Sequence, residues 1–213
     1  IEIVKLNNGD VPTLVKKHKR FPSDAARFCT DSLKIQVGKA FYKQLAQEQG
    51  QGFEVWYGMR TGESSQREKR YAGIVCDEVM PPHCFMPSKY PQYLAKLGIM
   101  IRLPVVDWST EDIFEFVGDE LNPLYKMGFD RVGCFPCLAG GDYWKAKAFG
   151  FDDFGKSQRI QVVQLAHEIK KNVYTTKSYS SKIENLDLMV QTKRKSKLLH
   201  DDLFDAPCMI CHI

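Results

Sequence analysis

The chain has 213 residues, 44% of them apolar, and its 30 Lys and Arg against 26 Asp and Glu leave a net charge of +4. That length supports one main core with a small appendage and excludes two large domains, while the near-balanced charge singles out no class of partner. No apolar run approaches the roughly 18 residues of a membrane helix and no signal peptide opens the chain, so a soluble cytoplasmic protein is expected.

Glu2 to Leu6 alternates polar and apolar residues as a half-buried strand does, and Asn7, Asn8, Gly9 and Asp10 supply the turn that closes it. Asp31 to Gln49 reads as a helix, with Leu33, Val37, Phe41 and Leu45 recurring near helical spacing and Gly50 and Gly52 ending it. The short apolar run Phe53 to Tyr57 is expected to be a strand buried on both faces, followed by a polar loop from Gly58 to Arg70 and a Pro-rich excursion from Met80 to Pro91. Ile99 to Val106, interrupted by Pro104, is a further strand candidate, and Ser109 to Asp112 is close to a capping box opening a helix over Thr110 to Val117. Gly128 to Gly141 reads as loop, Lys156 to Asn172 as an amphipathic helix, and Leu186 to Leu199 as a last helix before a cysteine-bearing tail. Helix followed by buried strand is the pattern of an α/β domain, here assigned to residues 1–150, with a helical, cysteine-rich extension over 151–213. Because the sequence starts at Ile1, it is expected to begin inside a longer product.

Seven cysteines, an odd number in an ordinary charged composition, read as thiols of a reducing compartment. Four of them form two Cys-x2-Cys pairs, Cys134 with Cys137 and Cys208 with Cys211. If the pairs converge, their thiolates suit either a [4Fe-4S] cluster or a zinc ion, both of which accept an all-cysteine ligand set. Two further readings stand beside this one: ordinary thiols, or a redox nucleophile at Cys211. Cys76, Cys84 and His83 are most simply structural. Cys29 lies at an expected helix start, where free backbone N–H groups attract anions and favour a thiolate. Arg60, Arg67, Lys69 and Arg70 follow the buried strand, where loops of α/β folds bind ligands, and offer donors to a phosphate or sulfate. Lys16 to Arg20 and Lys193 to Lys195 are local basic clusters, read first as solvated surface.

Four pieces in order then carry a resemblance: Arg27-x-Cys29-Thr30-x2-Leu33-Lys34; Gly58-x-Arg60-x2-Glu63-Ser64-x2-Arg67; Pro104-x2-Asp107-Trp108-x3-Asp112; and Asn122-Pro123-Leu124-Tyr125-x2-Gly128-x4-Gly133-Cys134-x2-Cys137. Over about residues 25–140 the chain resembles the phosphoadenosine phosphosulfate (PAPS) reductase family of the adenine nucleotide α-hydrolase superfamily, which also holds the sulfur-transfer component of DNA phosphorothioation. The resemblance implies a doubly wound, mostly parallel sheet with an adenylyl nucleotide, PAPS or ATP, at the carboxyl ends of the strands. It implies that Arg60 and Arg67 contact phosphate or sulfate, that Glu63 orients them beside Ser64, and that Arg27 and Lys34 complete the anion pocket. Cys29 and Cys211 are the candidate catalytic thiols. Cys134 and Cys137 match the family's cluster-ligating pair, with Cys208 and Cys211 as candidates for the remaining ligands.

Two features depart from the family pattern. The nucleotide-binding loop Ser-Gly-Gly-x-Asp-Ser is absent from this sequence, and Ile210-Cys211-His212-Ile213 only faintly echoes the reductase tail Glu-Cys-Gly-Leu-His. The expected function is sulfur metabolism on an adenylyl nucleotide, by PAPS reduction or by ATP-dependent sulfur transfer, with a thiol electron donor or sulfur-donor protein as partner. The alternative is a catalytically degenerate member whose metal-bound cysteines organise a binding module for protein or nucleic acid.

Overall fold

The computed structural model describes residues 2–23, 25–129 and 132–174. In chain order the helices and strands are α1 (Val11–His18), α2 (Phe28–Thr30), α3 (Gln36–Gln49), β1 (Glu54–Trp56), α4 (Ser65–Tyr71), β2 (Val79–Met80), α5 (Pro82–Phe85), α6 (Tyr93–Lys96), β3 (Met100–Arg102), α7 (Thr110–Val117), α8 (Pro123–Lys126), α9 (Asp142–Phe149) and α10 (Asp153–Ile169). A five-residue π-helical stretch, Asp31–Ile35, joins α2 to α3. The chain divides into two compact units, one built from residues 2–7 and 34–132, the other from 8–33 and 133–174. The tail cysteines Cys208 and Cys211, and the helix expected over 186–199, lie outside the described residues.

The first unit centres on a three-stranded sheet in the order β1-β3-β2. β1 runs parallel to β3 in the register Val55 to Ile101, and β2 pairs antiparallel with β3, Met80 opposite Ile101. The described sheet is therefore mixed. β3 is its buried member, with Ile99, Ile101 and Leu103 at 1% exposure or less, and these pack with Tyr71, Phe85, Tyr90, Leu94 and Val106. β1 departs from the expectation of a strand covered on both faces. Glu54 and Trp56 are exposed while Val55 is half-buried, because the outward side of β1 carries a polar cluster in place of a packed layer. There the Trp56 indole donates to Glu54, and Glu54 pairs with Arg102. β1 and β3 approach so closely at their starts that a Cβ on Gly52 would stand 2.2 Å from the Gly98 carbonyl oxygen.

The second unit packs α1, α9 and α10 around Val15, Phe21, Ala146, Phe149, Leu165 and Ala166. α10 starts where Asp152 accepts from the Gly155 amide at 2.7 Å, and its first turn is pressed onto α9, since a Cβ on Gly155 would lie 2.0 Å from the Ala148 carbonyl oxygen. Lys145 is fully buried here, its ammonium donating to Asp142 at 2.9 Å and to the Val173 carbonyl at 2.8 Å, so the charge is compensated where it is desolvated.

The amino-terminal strand is not formed. Residues 2–10 have no regular structure and Ile3 is 82% exposed, because the alternating pattern finds no strand to pair with among the described residues. Gly58 to Arg70, expected as loop, instead holds a short 3-10 turn, Thr61–Glu63, and most of α4, whose start Ser64 caps. The capping box at α7 is formed in both directions, Ser109 accepting from the Asp112 amide and Asp112 from the Ser109 amide.

Candidate functional site

β1 and β3 are parallel neighbours, so the segments that leave their carboxyl ends emerge side by side. Backbone bonds lock the two segments together: the Tyr57 amide donates to the Arg102 carbonyl at 3.0 Å, and the Thr61 amide to the Val106 carbonyl at 2.8 Å. The Thr61 hydroxyl reinforces the second of these at 3.1 Å.

Arg60 is the centre of this arrangement. Its residue is 1% exposed, with Nη1 donating to the Trp108 carbonyl at 2.9 Å and Nη2 to the Thr110 hydroxyl at 3.3 Å, while Nε is buried without a hydrogen-bond partner. A guanidinium held in that way, with two of its five N–H donors spent on the β3 loop and the start of α7, leaves its Nε–H without a partner. Its charge also helps to hold the Asp112 carboxyl below its ordinary range, after the larger effect of the Ser109 hydrogen bonds.

Glu63, almost wholly covered, forms an ion pair with Arg67 one helical turn on. Ser64, between them, accepts from the Arg67 amide at 3.3 Å and so starts α4 beside the same loop. Glu63, Ser64 and Arg67 stand with Arg60 on one continuous segment, and Lys34 belongs to the same unit.

Composition gave no hint of the group that borders the segment. The hydroxyl of Tyr57 stands 3.0 Å from that of Tyr42 and 2.7 Å from that of Tyr90, and the Tyr71 hydroxyl donates to the Met59 sulfur at 3.0 Å. Burial pushes the Tyr57 phenol far up and the Tyr90 phenol to about 12, so this chain of hydroxyls is neutral at physiological pH. Trp108 and Thr110 were likewise visible only as members of a motif; their role as acceptors for Arg60 depends on a contact across about fifty residues of sequence.

Arg27 and Cys29 lie in the second unit, as do Cys134 and Cys137. Cys29 is half-buried, and burial raises its thiol, with smaller contributions from Cys137 and Cys134 nearby; a backbone hydrogen bond at Thr30 opposes the rise. Cys134 is exposed and Cys137 half-buried against Gly140, whose amide donates to the Cys137 carbonyl at 2.9 Å. Three thiols thus share one region, yet among the described residues no group of three or more His, Cys, Asp or Glu side chains is placed to hold a metal ion. No helix among the described residues is long and apolar enough to cross a membrane.

Basic and hydroxyl side chains at the carboxyl ends of parallel strands stand where open α/β folds bind ligands, and the chain is of that α/β class. Residues 11–139 match the phosphoadenosine phosphosulfate reductase domain, and the chain belongs to that family. Membership implies the α/β architecture of the adenine nucleotide α-hydrolases. The chain is also similar to an uncharacterized 37.8 kDa protein in the gpa 5' region of Escherichia phage 186, at 29% identity over 141 residues that cover 65% of this chain and 37% of that protein. The chain therefore spans little more than a third of that relative's length. No solved structure matches.

Proposed function

We propose that the protein is a sulfur-metabolism enzyme acting on an adenylyl nucleotide, either PAPS in a reduction or ATP in a sulfur transfer. The observation that carries the reading is the pair of cross-tied loops at the carboxyl ends of β1 and β3, with buried Arg60 presenting an unpartnered Nε beside Glu63, Ser64 and Arg67. Arg67, partly exposed, is the side chain best placed to meet a phosphate or sulfate, and Glu63 fixes its direction. Arg60 acts mainly by holding the β1 and β3 loops in register, and Lys34 adds a cation. Arg27 lies in the second unit and is a candidate anion contact only through the family resemblance.

In a reduction, a cysteine thiolate attacks the sulfur of PAPS, with Cys211 the candidate and Cys29 disfavoured because burial keeps its thiol protonated. The sulfur–oxygen bond to the phosphate breaks, adenosine bisphosphate leaves, and a thiol donor then releases sulfite with formation of a disulfide. In a transfer, the bond between the α- and β-phosphates of ATP breaks, pyrophosphate leaves, and the adenylylated acceptor exchanges AMP for sulfur. In both, the arginines stabilise charge that develops on phosphate or sulfate oxygens.

Where Cys211 is not the nucleophile, a [4Fe-4S] cluster or zinc is proposed at Cys134 and Cys137 together with Cys208 and Cys211. No catalytic step is routed through it, since the described thiols by themselves do not form a metal-holding group. The experiment is calorimetric titration of the purified chain with PAPS and with ATP, followed by assay of sulfite and of pyrophosphate. Micromolar binding lost in Arg67→Ala supports the reading, and sulfite or pyrophosphate identifies the branch. Absence of binding to both nucleotides overturns it.

A further inference from the structure

We infer that the second unit carries a binding surface for single-stranded nucleic acid, formed where the carboxyl ends of α1 and α10 meet. The two helices are separated by more than 130 residues of sequence, but Lys16 in the last turn of α1 pairs with Glu168 in the last turn of α10 at 2.9 Å. Both helices then end on a lysine in the left-handed conformation, Lys19 at φ 51° and Lys170 at φ 53°. The chain continues into Arg20 on one side and Lys171 on the other. Lys17, Lys19, Arg20, Lys170 and Lys171 are all exposed, and Glu168, the acid at this end, is already engaged by Lys16. One or two cations at a helix end are explained by the helix dipole. Five in one place, on two ends brought together by folding, exceed that need and create a local positive field.

A second observation selects the partner. The imidazole of His18 stacks on Phe28 with ring centroids 4.3 Å apart and planes inclined by 22°, and the Arg20 guanidinium lies 5.8 Å from the centre of the same phenyl ring. His18 is nonetheless exposed, so the stack presents an aromatic surface at the basic end of α1, beside Lys17, Lys19 and Arg20. Aromatic platforms flanked by lysine and arginine are the arrangement that binds single strands, because bases stack on the rings while phosphates follow the charges. An anionic membrane would also be attracted to the charge, but peripheral membrane sites add large apolar side chains that insert. The exposed large apolar residues of this unit, Phe151, Phe154 and Ile160, belong to the start and first half of α10 and the turn before it, not to its basic end. An acidic polypeptide would use the charge and leave the stack without a function.

The test is fluorescence anisotropy of the full chain with a labelled oligothymidylate of about 20 nucleotides, between 50 and 200 mM salt. With five cations engaged, the logarithm of the binding constant is expected to fall with the logarithm of salt with a slope of about −3.5, from roughly −0.7 per phosphate neutralised. Lys19→Gln combined with Lys170→Gln should flatten that slope by about 1.4. His18→Ala should weaken binding roughly tenfold through loss of the stacking ring. Lys126→Gln, an exposed lysine of the first unit, is the control and should leave binding within a factor of two. Lys17→Gln with Lys171→Gln gives an independent double variant should the first fail to fold. Equal binding by the control and both double variants overturns the inference, as does a preference for polyglutamate or for phosphatidylserine vesicles over the oligonucleotide. Nucleotide binding at Arg67 is read separately, so either result leaves the other open to its own test.

Discussion

Removing the Arg60 side chain should destabilise the first unit before it affects any ligand. Arg60→Ala leaves the half-buried Trp108 carbonyl and Thr110 hydroxyl without their donor. An unsatisfied buried partner costs about 1 to 3 kcal/mol, and two of them, less the relief of no longer burying a guanidinium with an idle Nε, give a loss of about 3 kcal/mol. Arg60→Met, which keeps the stem's packing and loses only the hydrogen bonds, should cost about 2 kcal/mol. Arg60→Lys should fall between wild type and Met, because an ammonium cannot span both acceptors as the planar fork does. Urea unfolding followed by tryptophan fluorescence reports the change. With a slope near 2 kcal/mol per molar, Arg60→Ala should lower the midpoint by about 1.5 M. A midpoint shift below about 0.2 M in Arg60→Ala would show that the cross-tie carries no stability, and the argument that Arg60 holds the two loops in register would fall with it.

The Asp112 carboxyl, held low chiefly by the Ser109 backbone amide, supports α7 only while ionised. Its folded value lies below 3.8, so its contribution is complete above that pH and is lost as pH falls through the lower folded value. Unfolding curves of wild type and Asp112→Asn should therefore differ at pH 6 and converge at the acid end; curves separated by a constant amount at every pH would contradict this. Gly155→Ala places a methyl group against the Ala148 carbonyl oxygen and should destabilise the second unit by about 1 to 3 kcal/mol, whereas Gly62→Ala, with open space around it, should change the melting temperature little. Iodoacetamide at pH 8, followed by peptide mass spectrometry, should label exposed Cys134 well before Cys29, whose thiol burial keeps protonated. The reverse order would mean that Cys29 is activated by something the described residues do not include.

The sequence alone determined whatever depends on local chemistry. The capping box at Ser109 and Asp112 and the stop of α3 near Gly50 follow from side chains and backbone freedom within a few residues, and both are present as expected. The α10 helix follows its apolar spacing, beginning three residues earlier than expected because Asp152 captures the Gly155 amide. The four ordered motifs were likewise enough to reach the PAPS reductase family. Tertiary structure decided the rest. Residues 2–10 have strand-like alternation but no partner, and Trp56 is exposed on a strand that its hydrophobicity would bury, because whether a strand forms and which face is covered depend on what packs beside it. The role of Arg60 was set by acceptors on Trp108 and Thr110, and the basic surface by the meeting of α1 with α10. The first is written in no short stretch of sequence, and for the second the sequence shows the cluster Lys16 to Arg20 but not its meeting with Lys170 and Lys171, since separation along the chain carries no record of distance in space.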